Sequence, residues 1–66
     1  MEISTIPYQV THGKLPKGRG RWAFAMEAYP ESPEGIWFSQ NLKFADAKKQ
    51  ATEHFAGKAT KIYALG

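Results

Sequence analysis

The stretch Arg21-Trp22-Ala23-Phe24-Ala25-Met26-Glu27-Ala28-Tyr29, followed by Pro30-Glu31-Ser32-Pro33-Glu34-Gly35 and Ile36-Trp37-Phe38-Ser39, decides the reading of the chain. Trp22, Phe24, Met26 and Ala28 alternate with Arg21, Ala23, Ala25, Glu27 and Tyr29. That period of two is the pattern of a strand buried on one side. Residues 30–35 hold two prolines and a glycine, which neither a helix nor a sheet ladder accommodates, so they form a turn. Ile36 and Phe38 alternate with Trp37 and Ser39, and the two runs form an antiparallel hairpin.

Working outward, residues 13–20, Gly-Lys-Leu-Pro-Lys-Gly-Arg-Gly, read as a loop. Before it, Ile6, Tyr8 and Val10 alternate with Pro7, Gln9 and Thr11, which predicts a first strand. Pro7 has no N–H to give a ladder, so that strand is placed at an edge. After the hairpin the period changes. Phe44, Ala47, Ala51 and Phe55 fall on one helical face, with Asp46, Lys49, Gln50 and Glu53 opposite. Asp46 suits the positive end of the helix dipole, and Gly57 stands where a terminating glycine belongs. Ser39 and Asn41 are candidate N-caps, although the apolar pattern itself starts at Phe44. Residues 61–65, Lys-Ile-Tyr-Ala-Leu, predict a short closing strand.

The expected fold is α+β in two layers and in the order β-β-β-α-β. A three-stranded antiparallel sheet carries one helix on one face, and a short C-terminal strand follows. Residues 1–66 make a single domain. Ile6, Tyr8, Val10, Trp22, Phe24, Met26, Ile36, Phe38, Ile62 and Ala64 would meet the helix stripe. The other face would carry Thr5, Gln9, Arg21, Ala23, Ala25, Glu27, Tyr29, Trp37, Ser39 and Tyr63.

Composition bounds the function classes. With 66 residues, 42% of them hydrophobic and 14% aromatic, the chain holds a small core. It has no cysteine, which excludes disulfides and thiolate metal sites. No apolar run approaches the length of a membrane span, and the N-terminus lacks the pattern of a signal peptide, so a cytoplasmic protein is expected. Ser4, Ser32 and Ser39 lie outside any nucleophile motif. His12 and His54 have no partner at catalytic or metal-ligand spacing. The expectation is a non-catalytic protein with no metal and no cofactor.

The charges are segregated along the chain. Lys14, Lys17, Arg19 and Arg21 occupy residues 11–26 without an acid, whereas Glu27, Glu31 and Glu34 occupy residues 27–34 without a base. Glycines let backbone N–H groups approach an anion, and the neighbouring Lys and Arg supply charge. Tyr29 and Trp37 on an open sheet face would add stacking surfaces. Lys14, Lys17, Arg19, Arg21, Tyr29 and Trp37 are therefore the candidate nucleic-acid contacts, with DNA or RNA as partner. The alternative is a module for protein interaction or homodimer formation through the same aromatic face or an edge strand.

Residues 19–28, Arg-Gly-Arg-Trp-Ala-Phe-Ala-Met-Glu-Ala, with Ile36-Trp37-Phe38 and residues 45–51, Ala-Asp-Ala-Lys-Lys-Gln-Ala, carry a resemblance. They resemble three-stranded-sheet-plus-helix DNA-binding domains of the plant ethylene-response-factor type and the arm-binding type of phage integrases. The resemblance implies a sheet lying in the major groove, with Arg19, Arg21 and Trp37 as contacts.

Overall fold

In the computed structural model, which describes residues Met1–Gly66, the chain forms four strands and two α-helices. They are β1 (Glu2–Ser4), α1 (Ile6–His12), β2 (Arg19–Ala25), β3 (Ile36–Lys43), α2 (Phe44–Phe55) and β4 (Lys61–Leu65). A short 3-10 turn, Pro33–Gly35, precedes β3. The sheet has the order β1-β4-β2-β3 and is mixed. β1 is parallel to β4, while β2 is antiparallel to both β4 and β3.

The α+β class and the β2–β3 hairpin match the sequence reading, but the three-stranded antiparallel sheet with one helix does not. The segment expected as a first strand is helix α1. Pro7 sits in its first turn, where a missing N–H has no intrahelical partner to lose. Links four residues apart then close it. Gln9 Nε2 donates to Thr5 Oγ1 (2.7 Å), Thr11 Oγ1 donates to the Pro7 carbonyl (3.2 Å), and the Tyr8 and His12 rings stack at 4.2 Å. Gly13, at φ 70°, ends the helix and donates its N–H to the Gln9 carbonyl. Ile6 and Val10, expected in the core, are 63% and 69% exposed. The sheet gains its fourth strand instead from residues 2–4, too short a run to show a period.

Helix α2 covers one face of the sheet, and α1 packs against β4. Trp22, Phe24, Ile62 and Ala64 of the sheet meet Ala47, Ala51 and Phe55 of α2, with Tyr8 of α1 and Phe44 packed around them. The alanines at positions 47 and 51 let the helix backbone approach the strands closely. Helix α2 begins at Phe44 with neither Ser39 nor Asn41 as its cap. Its first N–H is donated to the Gly18 carbonyl at 2.9 Å. Gly57, at φ 78°, follows its end as expected. No helix is long and apolar enough to cross a membrane.

Candidate functional site on the uncovered sheet face

The site is built on the β2–β3 hairpin. Pairing runs Ala25↔Ile36, Phe24↔Trp37 and Ala23↔Phe38, then shifts so that Arg21 meets Asn41 and Arg19 meets Lys43. Two residues of β3, Ser39 and Gln40, thus oppose Trp22 in a β-bulge. Ser39 is buried on the helix side. Its Oγ accepts the Trp22 N–H at 2.8 Å and donates to the Gln40 carbonyl at 2.7 Å. The Trp22 indole N–H donates to the Leu42 carbonyl at 2.9 Å. No buried side-chain donor or acceptor is left unpaired by this shift in register.

This register places the aromatics differently from the alternation expected. Trp37 is not on the open face. It lies opposite Phe24, 6.0 Å from that ring, and stacks with His54 at 5.7 Å. Phe38 takes the open position and is 54% exposed. Ser39 and Ile36 exchange faces in the same way, because a shift of one residue in a strand moves every side chain to the other side. Phe38 and Trp37 are both apolar, so the sequence offered no polarity difference to orient the strand. The distinguishing signal was the pairing of Trp37 with Phe24, which depends on the turn geometry.

Arg21 and Arg19 both emerge on the face opposite α2, in a depression that Tyr8 and His12 of α1 also line. Arg21 Nε donates to the Ser39 carbonyl at 3.5 Å, and its guanidinium carbon lies 6.0 Å from the Phe38 ring centre. Arg19 donates to the Asn41 carbonyl at 3.3 Å. Lys43 stands directly across from Arg19 in the ladder. Lys14 and Lys17 are exposed in the adjoining loop. That loop is pinned at Gly13, which ends α1, and at Gly18 (φ 87°), whose carbonyl holds the start of α2. Gly13 and Gly18 thus supply the positive-φ turns that fix both ends of this loop.

The structure brings Lys17, Arg19, Arg21 and Phe38 around one depression, with Lys43 across from Arg19. Tyr29 is separate. It is 69% exposed, in the turn at the far end of the hairpin, beside Glu27, Glu31 and Glu34. At ~3.3 Å per residue, the strand sets these two ends ~20 Å apart. Phe38 and Lys43 are the additions that sequence reasoning missed. Both histidines pack on aromatic rings, His12 on Tyr8 and His54 between Trp37 and Phe55. The one salt bridge, Lys61 to Glu2 at 3.0 Å, joins β4 to β1 and leaves the arginine end without an acidic partner. Neither a family model, nor a curated protein, nor a solved structure matches the chain.

Proposed function

We propose that the protein is a small non-catalytic module that binds nucleic acid through the basic end of its uncovered sheet face. Arg19, Arg21 and Lys43, with Lys14 and Lys17 from the loop, would neutralise phosphates, and Phe38 would supply the aromatic contact expected of Trp37. The observation that carries this reading is the cross-strand pair Arg19↔Lys43, two like charges with no acid in salt-bridge reach. Like charges directly opposed destabilise a ladder, and a bound polyanion relieves that repulsion. Arg21, two residues along the same strand from Arg19, stands beside the exposed Phe38 ring, which suits a ligand that is both anionic and flat. Tyr29, among three glutamates, stays outside this contact.

The test is fluorescence anisotropy with a labelled oligonucleotide over a range of salt. Affinity falls steeply with salt, and Arg21→Gln or Lys17→Gln each lowers the log–log slope by about one. Tyr29→Ala leaves affinity unchanged. An affinity indifferent to salt, or no binding at low salt together with a dimer in sedimentation, overturns the proposal in favour of self-association through this face.

A further inference from the structure

We infer that the backbone of the bound nucleic acid passes from the sheet face round the end of the sheet onto α2, where Lys48 and Lys49 hold its phosphates. The inference rests on the binding function proposed above. It adds the direction of the ligand's path and two contacts in the helix layer. Its first support is the continuity of the basic surface. Lys17 and Arg19 line two adjoining depressions. One lies on the sheet face and carries Arg21 and Phe38. The other opens at the end of the sheet, where Lys43, Phe44 and Ala45 complete its wall. Strand β3 passes into α2 there without a loop, since Lys43 ends the strand and Phe44 begins the helix. The Phe44 N–H bound to the Gly18 carbonyl ties that junction to the basic loop. Ala45 also borders a third hollow, which Lys48 and Lys49 line. The Lys48 ammonium lies 5.9 Å from the centre of the Phe44 ring, which keeps its charge close to the junction. Positive groups therefore follow one another from Arg21 to Lys49.

The second support is what borders this band. Asp46 is the only acidic side chain lining the three hollows, and it makes no salt bridge with any of these cations. The other direction out of the basic end runs along the hairpin, and it leads to Glu27, Glu31 and Glu34. A polyanion follows the positive potential. It therefore turns at the end of the sheet instead of running along the strands.

The experiment measures the salt dependence of binding to one labelled oligonucleotide by anisotropy. Wild type is compared with Lys48→Gln, Lys49→Gln, the double variant, Lys48→Arg and Lys58→Gln. Lys58 is exposed beyond the opposite end of α2 and serves as the control. Each glutamine at 48 or 49 is expected to lower the log–log slope by about one, and the pair by about two. Lys48→Arg and Lys58→Gln are expected to keep the wild-type slope. All three lysines are exposed, so their replacement spares the core, and circular dichroism of each variant checks that. A double variant with the wild-type slope, or a Lys58→Gln variant that loses as much as Lys48→Gln, overturns the inference while leaving binding at the sheet face standing. Wild type without salt-dependent binding overturns the binding function itself.

Discussion

Ser39 shows how one polar atom shapes the candidate site. A serine in an apolar strand reads as a solvent-facing residue, yet its hydroxyl is buried and fills the gap that the bulge opens against Trp22. With the extra residue accommodated, Arg21 and Arg19 reach the Ser39 and Asn41 carbonyls and stay on the uncovered face. Ser39→Ala leaves the buried Trp22 N–H without its acceptor. The expected loss is about 1–3 kcal/mol. In a domain of this size, each kcal/mol lowers the melting temperature by about 4–8 °C, which thermal unfolding reads directly. A variant that melts with wild-type protein would mean that the N–H finds another partner. At this scale the chemistry of Trp22, Phe24 and Arg21 was legible from alternation. The faces of Trp37, Phe38 and Ser39 were not, because alternation gives a period without an origin.

Among the elements, α2 was legible and α1 was not. Helix α2 has twelve residues, enough for Ala47, Ala51 and Phe55 to repeat the helical spacing on one buried side. Helix α1 has seven, and over so short a run Ile6, Tyr8 and Val10 satisfy a strand pattern as well. Pro7 near its start and Gly13 at its end were the better guides, since both act on the backbone directly. The two assignments give opposite predictions for Val10. A core strand position would lose about 1.5–3 kcal/mol when a lysine replaced the valine. On the exposed face of α1, Val10→Lys changes stability by no more than about 0.5 kcal/mol in denaturant unfolding. A large loss would contradict the helix.

In the whole molecule, the closure of the sheet depends on two segments far apart in the chain. β1 pairs with β4 in parallel, Glu2↔Lys61 to Ser4↔Tyr63, and the Glu2–Lys61 ion pair lies at that seam. The Glu2 carboxylate, which accepts a hydrogen bond from Lys61 and attracts its charge, raises the lysine pKa above its ordinary value. A raised folded-state pKa contributes stability below the unfolded value, and that contribution is lost as the pH rises through the folded one. Both partners are exposed, so the effect is small. Wild type is expected to melt slightly above Glu2→Gln at neutral pH, with the gap closing in the alkaline range beyond the ordinary lysine pKa. A gap that persists there would assign the difference to something other than this pair.

What could be read along the chain is what short-range physics controls. Glycine and proline marked the breaks, alternation marked the hairpin, helical spacing marked α2, and residue order set the separation of basic from acidic segments. Long-range pairing set which strand lies beside which, that residues 2–4 complete the sheet, and that Phe38 rather than Trp37 looks outward. Those outcomes depend on hydrogen-bond register between distant segments and on which face α2 covers. A three-residue strand or a pair of adjacent aromatics carries too little local pattern to specify either.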